Sequence, residues 1–372
     1  MTGEPYYPVP HKKNQALYKK YQEMALKEPN VTFVGRLANY KYFDMDQSVL
    51  NALELFDSNA PKVAIREMLS YTPTGGPEAL VQLLLAFHDW MPTRTFMLNW
   101  GDEMINHHRS IWYEKGYPGL AEVENQKISM KDLQKDDIAI FVEGDECPVD
   151  LVKRGVKVYI WALGSYDYSQ HKADGCKFFS HNHHLTKQYD VDLARDHVVI
   201  PYINIQKKHF GSITNDKRQN LVILNHQDNG GAGFEVLGEL QDYCKSTLSC
   251  EVYYPEGLNA EKLNAVYMKA KVVFAPCMRG SERGPIEAVL AGVVLVTNEC
   301  DSGSNSMDFP IPKEHMVSDK NPLLTLVRKI FDNFEEEQSK LEGFREVYKS
   351  YDHASMVEDT KMFFQSAVAS GE

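Results

Sequence analysis

The sequence predicts an α/β fold with two Rossmann-like domains facing a cleft and a small α+β appendage at the N-terminus. Short apolar strands alternate with helices from residue 63 onward, and glycine or aspartate follows several strands, as is typical of parallel sheets. The same pattern starts again near residue 221, which indicates a second α/β half. A polar cluster at residues 57–61 indicates a linker after the opening segment.

The chain length of 372 residues suits two domains of about 150 residues each plus an appendage. We predict an opening segment over residues 1–57 and a first Rossmann-like domain over 58–205. A second such domain follows over 206–350. A C-terminal helix over 351–372 is expected to pack back on the first domain.

The opening segment is expected to contain a polar amphipathic helix over residues 13–27, a short strand over 31–34 and a second helix over 46–56. In the second helix, Val49, Leu53 and Phe56 fall on one face at helical spacing. A segment of this length cannot bury a core alone, so we expect it to pack on the two α/β halves that follow.

The two halves are assigned by apolar runs and helical periodicity. In the first half, we predict strands over residues 63–69, 95–98, 138–142, 156–161 and 198–204, with a helix over 78–90. In the second half, we predict strands over 221–224, 251–254, 272–275 and 293–297, and helices over 233–245, 259–270, from Pro285, over 322–349 and over 354–368.

Composition excludes several functions. The formal net charge of −12 argues against a nucleic-acid partner, because duplex binders need a basic surface. The longest apolar run, residues 288–296, is about half of what a bilayer span requires, so no membrane span is expected. Residues 1–20 lack a signal-peptide pattern, which makes cytoplasmic the expected location. The spacing of the six cysteines does not fit a zinc site, and we expect reduced, mostly buried thiols.

The strongest chemical motif is a strand, a glycine-containing loop and a helix start over residues 272–296. Pro285 suits the first helical position, where its missing N–H is not needed. Backbone N–H groups at that helix start can hold a diphosphate. Glu287 then falls in the first turn, where it can accept hydrogen bonds from ribose hydroxyls. The alternative is a structural strand-to-helix turn in which Glu287 only complements the helix dipole.

This loop resembles the donor-sugar loop of retaining GT-B glycosyltransferases, in which two glutamates stand eight positions apart before a buried strand. Glu287 matches the second glutamate, whereas Arg279 occupies the first position and cannot accept hydrogen bonds. Glu282 is a candidate replacement. The family tends to place an arginine and a lysine where this chain has Asn225, so Arg279 or Arg283 is expected to bind the phosphates instead.

Three features of the first half are weaker candidates. Gly75 and Gly76 follow the first strand and resemble the GT-B loop where the backbone approaches donor phosphates and acceptor. His181 opens a cluster of three histidines that is either structural or turned toward the donor. Glu143 and Asp145 follow the strand over 138–142 and serve either as acids in the cleft or as helix caps.

The opening segment resembles the C-terminal part of UDP-galactopyranose mutase, a flavoenzyme. The matching residues, which contact flavin or the UDP diphosphate in that family, are Tyr6, Tyr7, Pro8, Arg36, Tyr40, Tyr42, Asp44 and Asp46. A flavin dinucleotide requires a Gly-x-Gly-x-x-Gly turn, and residues before position 57 contain none. We therefore expect no flavin, and a structural role for the segment unless Arg36 and the tyrosines reach UDP.

Together these resemblances imply a hexosyl- or pentosyltransferase that moves a sugar from a UDP-linked donor to a glycan or other hydroxyl acceptor, with retention and without a metal. The alternative is an inactive sugar-nucleotide or glycan-binding protein of the same fold. Expected catalytic residues are Glu287, Glu282 and His181. Expected donor-binding residues are Gly75, Gly76, Asn225, Arg279, Ser281, Arg283, Gly284, Pro285 and Glu287.

Overall fold

The chain divides into two compact units, Met1–Pro61 and Lys62–Glu372, and each is considered by itself. The computed structural model describes residues 8, 11–28, 31–66, 75–99, 117, 119–123, 125–142, 144–188, 198–203, 215–225, 234–255, 258, 260–276, 278, 280, 282–299, 301–317 and 319–369.

The first unit contains two helices, α1 (Lys12–Ala25) and α2 (Met45–Asn59). The turn between them is held to α1 by Tyr18, whose ring stacks on Tyr40 at 5.1 Å and whose hydroxyl donates to the carbonyl of Ala38 at 2.6 Å. A capping box between Asp44 and Gln47 starts α2. Residues 31–34 pair with no strand in the described part of the chain, so the predicted strand there is wrong and the unit is helical.

The first half of the second unit is a parallel six-stranded sheet in the order β3-β2-β1-β4-β5-β6. Its strands are β1 (Val63–Arg66), β2 (Thr95–Asn99), β3 (Lys127–Ser129), β4 (Ile138–Val142), β5 (Lys157–Ala162) and β6 (Lys177–Ser180). Its helices are α3 (Gly75–Trp90), α4 (Leu120–Val123), α5 (Val149–Lys153), α6 (Ser169–Ala173) and α7 (His183–Gln188). The strand order is that of a doubly wound Rossmann sheet.

The second half is a parallel four-stranded sheet in the order β10-β9-β7-β8. Its strands are β7 (Leu221–Leu224), β8 (Glu251–Tyr253), β9 (Val272–Phe274) and β10 (Val294–Val296). Its helices are α8 (Phe234–Tyr243), extended by a π-helical turn (Cys244–Leu248), α9 (Ala260–Lys269) and α10 (Arg283–Leu290). The predicted α/β class with two Rossmann-like halves is therefore confirmed.

Four helices close the chain: α11 (Lys320–Asp332), α12 (Phe334–Ser339), α13 (Glu342–Ser350) and α14 (His353–Ala369). A single helix was predicted over 322–349, but Asn333 has φ −129° and ψ 45°, which lies outside the helical region and separates α11 from α12. Helix α14 packs on α3, where Trp90 contacts Phe364 with ring centroids 5.3 Å apart and donates to Thr360 at 3.1 Å.

Burial distinguishes strands that were predicted, such as β4 and β7, from the missed strands β3 and β6. All residues of β4 and β7 are buried, as in sheets covered by helices on both faces. By contrast, β3 has only Ile128 buried and follows no visible apolar run, and β6 begins with an exposed lysine. The predicted strand over 198–204 is reduced to a bridge between Val198 and Ser180.

Cys147 and Cys176 form a disulfide with a Cα–Cα distance of 6.8 Å. The expectation of reduced thiols is therefore wrong for this pair. Cys244 and Cys250 are buried free thiols, as expected. Among the described helices, none has the length and apolar character needed to cross a bilayer.

Candidate functional site

The second sheet has a switch point between β7 and β9, where ligands of doubly wound folds bind. Asn225 follows β7 and donates its N–H to the carbonyl of Phe274, the last residue of β9, at 2.9 Å. The segment after β9 then leads into α10. The predicted loop and Asn225 are therefore neighbours at this edge of the sheet.

Helix α10 begins at Arg283, two residues earlier than predicted. Pro285 is its third residue and Glu287 its fifth, so Pro285 is not the first helical residue and Glu287 is not in the first turn. Proline is tolerated here because none of the first four N–H groups of a helix has an acceptor within it. A Cβ at Gly284 would lie 2.7 Å from Oδ1 of Asn225, so only glycine allows this approach.

The side chain of Arg283 reaches from α10 to the start of α3. Its Nη2 lies 3.2 Å from Oε1 of Glu78, and its Nε lies 3.6 Å from Oε1 of Glu287. A Cβ at Gly75 would lie 3.4 Å from Cδ of Arg283. The predicted residues Gly75, Arg283 and Glu287 therefore meet, and the starts of α3 and α10 lie against the same guanidinium.

The guanidinium of Arg283 is buried and keeps its charge. Burial acts to lower the pKa of Arg283, but Glu78 and then Glu287 raise it above its ordinary value. Among the described residues, Nη1 has no hydrogen-bond partner. A buried cationic donor beside two helix starts is an arrangement that binds anions.

Glu78 and Tyr117 are site residues that the sequence analysis missed. The Tyr117 hydroxyl donates to Oε1 of Glu78 at 2.6 Å, and Gln82 donates to that hydroxyl at 2.8 Å and to the carbonyl of Tyr202 at 2.9 Å. Burial and the charge of Glu78 raise the pKa of Tyr117, so its proton stays on the hydroxyl. The available signal was an acidic residue in the first turn after Gly75 and Gly76, because α3 starts three residues earlier than predicted.

Glu287 is buried on the inner side of α10, and its other neighbour is Tyr267 of α9. Burial, and then the charge of Glu287, raise the pKa of Tyr267. The Tyr267 hydroxyl is also 3.4 Å from where a Cβ of Gly284 would be. Glu282 is the half-buried residue that precedes α10. It therefore borders the site without being placed in its centre.

His181 lies against Gly280, in the loop that precedes α10. A Cβ at Gly280 would be 3.2 Å from Nε2 of His181 and would clash with the carbonyl of Leu163. Nδ1 donates to the carbonyl of Ala162 at 3.0 Å, which leaves Nε2 as an acceptor. Burial lowers the pKa of His181 to about 4, so the ring is neutral at physiological pH.

The rest of the histidine cluster joins the two halves. The N–H groups of His183 and His184 each donate to Asp308 at 2.7 Å, one to each carboxylate oxygen. Asn182 donates to Ser302 at 3.0 Å. These contacts fix the start of α7 to the second half. Within the described part of the chain, no group of three or more His, Cys, Asp or Glu side chains is arranged to hold a metal.

The remaining candidates are placed less favourably. Asp145 forms an ion pair with Arg66 at 2.5 Å, and burial raises its pKa despite that partner. Gly76 lies near Leu163, whose Cδ1 would be 3.7 Å from a Cβ there. Arg279, Ser281 and Glu143 lie outside the described residues.

The described residues of the mutase-like unit form two helices, and no strand is among them. Asp44 caps α2, and Tyr40 stacks on Tyr18. Tyr6 and Tyr7 lie outside the described residues.

Comparisons with known proteins match the two units to different proteins. A family model described as UDP-galactopyranose mutase matches residues 1–42. A probable UDP-galactopyranose mutase from Klebsiella pneumoniae is 44% identical over 63 residues, which is 17% of this chain and 16% of that protein. A dTDP-fucopyranose mutase from Escherichia coli is 46% identical over 50 residues, 13% of each chain. The aligned stretch is thus a small part of the curated relatives.

The structure resembles the crystal structure of a glycosyltransferase from Rickettsia africae ESF-5. The TM-score is 0.51 at 10% sequence identity, over 84% of this chain and 100% of that one. At this identity the likeness concerns the fold. It agrees with the two-sheet architecture predicted from the sequence.

Proposed function

We propose that the chain is a nucleotide-sugar-dependent glycosyltransferase whose donor diphosphate binds at Arg283. The observation that carries the proposal is the position of this buried guanidinium, which lies where α10 of the second half meets α3 of the first. Phosphate oxygens suit both the Nη1 group of Arg283 and the N–H groups of the helix starts. The fold shared with a glycosyltransferase supports this reading.

The donor is oriented by the residues around Arg283. Glu287 accepts hydrogen bonds from the ribose hydroxyls, and the backbone N–H groups at the start of α10 donate to the phosphates. His181 contacts the donor sugar from beside Gly280. The acceptor enters beside Gly76, from the first half.

The reaction is a transfer from the phosphate oxygen to an acceptor oxygen. The bond between the anomeric carbon and the diphosphate breaks, the acceptor hydroxyl oxygen bonds to that carbon on the same face, and its proton passes to the departing phosphate oxygen. Arg283 and the helix start stabilise the negative charge on the departing diphosphate. We propose that neither a metal nor flavin takes part.

The donor we propose is a UDP-linked hexose or pentose, with UDP-galactofuranose as the first to test. The support is the opening unit, which is similar to mutases of UDP-galactopyranose and of dTDP-fucopyranose. Linked segments often serve one pathway, so dTDP-sugars belong in the same assay.

A second candidate is a protein that binds a nucleotide sugar without turnover. It is favoured by the two carboxylates of Glu78 and Glu287 that already neutralise Arg283, because a diphosphate must compete with them. It is also favoured by Asn225, a residue without charge at the end of β7. Calorimetry separates the two candidates, since a binding protein takes up UDP-sugar and releases no UDP.

The test is UDP release from UDP-galactopyranose, UDP-galactofuranose and matching dTDP-sugars by the full chain. We expect Arg283→Ala to lower UDP release by about a hundredfold, because the substitution removes the cation that stabilises the charge on the departing diphosphate. Arg328→Ala is the matched control. Arg328 is exposed on α11, with its guanidinium 5.6 Å from the Tyr243 ring centroid, and its loss should leave release unchanged. Equal release by both variants would refute the proposal.

A further inference from the structure

The helices of the first unit bury none of their side chains. On α1, Leu17, Tyr21 and Met24 form one stripe over two turns, and between 53% and 61% of each is exposed. On α2, the same spacing is found for Val49, Leu53 and Phe56, and between 40% and 59% of each is exposed. Each helix therefore presents an apolar stripe of equal length.

The connecting segment also carries apolar residues. Phe33, Val34 and Leu37 are also exposed. Proteins that stay monomeric rarely expose contiguous apolar patches of this kind, and a unit of this size cannot bury a core of its own. Another apolar surface is needed to cover the two stripes.

The charges of the two helices are complementary. Helix α1 carries Lys12, Lys13, Lys19 and Lys20 against a single acidic residue, Glu23. Helix α2 carries only acidic charges, at Asp46, Glu54 and Asp57. A surface that fits α1 should therefore be apolar and acidic, and a surface that fits α2 should be apolar and basic. Helix α2 has the apolar and acidic surface that fits α1, and α1 has the apolar and basic surface that fits α2.

We infer that the first unit is a dimerisation element in which α1 of one copy packs on α2 of a second copy. A two-fold axis makes both contacts at once, as in isologous dimers. An antiparallel arrangement sets Lys12 and Lys13 against Glu54 and Asp57 of the other copy. All four apolar stripes are then covered and all four charged faces are matched.

A separate mutase suits the apolar stripes of the first unit less well than a second copy of this chain does. The curated mutases that match this unit contain their own version of it, as 13% to 16% of one longer chain. The surface that receives the stretch in those proteins is therefore already filled. A second copy of this chain has no such competitor.

The test uses charge reversal in the full-length chain, followed by sedimentation equilibrium. One variant carries Lys12→Glu and Lys13→Glu, and the other carries Glu54→Lys and Asp57→Lys. The helix dipole favours acidic residues at the start of α1 and basic residues at the end of α2, so neither pair of changes weakens its own helix. The wild-type chain is expected to dimerise. Each variant alone should form dimers with an affinity that is lower by about tenfold or more.

Mixing the two variants is the decisive step. Each copy in the heterodimer again meets an opposite charge, so the equimolar mixture should recover wild-type association. A monomeric wild-type chain, or a mixture as weak as its components, would overturn the inference. Sedimentation of a monomeric chain with vesicles of anionic lipid would do the same, and would assign the basic apolar face of α1 to a membrane.

Discussion

Glu78 and Arg283 form an ion pair across the two halves, with Oε1 and Nη2 3.2 Å apart. Glu78 belongs to the first turn of α3, and Arg283 is the first residue of α10. Because Glu287 and Tyr117 contact the same pair, four side chains from both halves act as one polar cluster. Any anion that binds Arg283 must compete with Glu78, so ligand binding and the contact between halves are coupled.

The first prediction concerns Glu78→Gln. The substitution removes one negative charge but keeps an acceptor for Tyr117, so we expect UDP to bind about tenfold more tightly. Arg283 retains Glu287, and the cost to the free energy of unfolding should be about 1–3 kcal/mol. Calorimetry with UDP and urea unfolding measure the two effects.

Glu358→Gln is the control for this change, because Glu358 is exposed and forms an ion pair with Lys361. It should alter neither UDP affinity nor stability. Weaker UDP binding by Glu78→Gln would mean that Glu78 contacts the ligand directly and does not compete with it.

The second prediction compares two glycine substitutions within helices. In Gly284→Ala the new Cβ would lie 2.7 Å from Oδ1 of Asn225, and displacing that side chain should cost about 1–3 kcal/mol and weaken UDP binding. In Gly343→Ala the Cβ meets nothing within 4 Å. Helix α13 should therefore gain about 0.5–1 kcal/mol. Thermal and urea unfolding check both, and equal destabilisation would contradict the proposed close approach.

The third prediction concerns the disulfide of Cys147 and Cys176, which closes a loop with a sequence separation of 29. A crosslink of this length stabilises a folded chain by about 3–4 kcal/mol in the chain-entropy description. Cys147→Ser, or dithiothreitol added to the wild type, should lower the melting temperature to the same value. Dithiothreitol should have no further effect on the variant. If dithiothreitol leaves the melting temperature of the wild type unchanged, the disulfide is not formed.

The sequence carried enough information for the buried strands of the sheets, but not for strands β3 and β6 or for the cluster around Arg283. Strands β4 and β7 are continuous apolar runs, so their burial could be predicted from residue type alone. The importance of Glu78 depends on α3 meeting α10, which is a contact between distant parts of the chain. Local pattern contains no signal for it.

Helix starts were the least accurate part of the prediction for a related reason. Proline at position 285 is compatible with several positions of the first turn, and Gly75 and Gly76 were read as loop although α3 begins there. The pairing of Cys147 with Cys176 likewise depends on the packing of segments that are 29 residues apart in the sequence. In each case the local sequence is compatible with more than one structure, and tertiary packing determines which one forms.

The last prediction concerns the pH dependence of stability at His181. The unfolded ring titrates near its ordinary pKa of 6.5, whereas burial lowers the folded pKa to about 4. Between these values the unfolded chain binds the extra proton, so this contribution is complete above pH 6.5 and is lost as the pH falls toward 4. The difference between the two pKa values corresponds to about 3 kcal/mol in the free energy of unfolding.

His181→Asn tests this dependence, because the asparagine amide can still donate to the carbonyl of Ala162 but does not titrate. Unfolding in urea at pH 7 and pH 4.5 should show a smaller loss of stability for the variant than for the wild type. Asp359 acts in the opposite direction, since burial raises its pKa to about 6 and its contribution is lost as the pH rises from 4 to 6. The comparison is therefore made in an Asp359→Asn background, where an equal acid dependence with and without His181 would contradict the assignment.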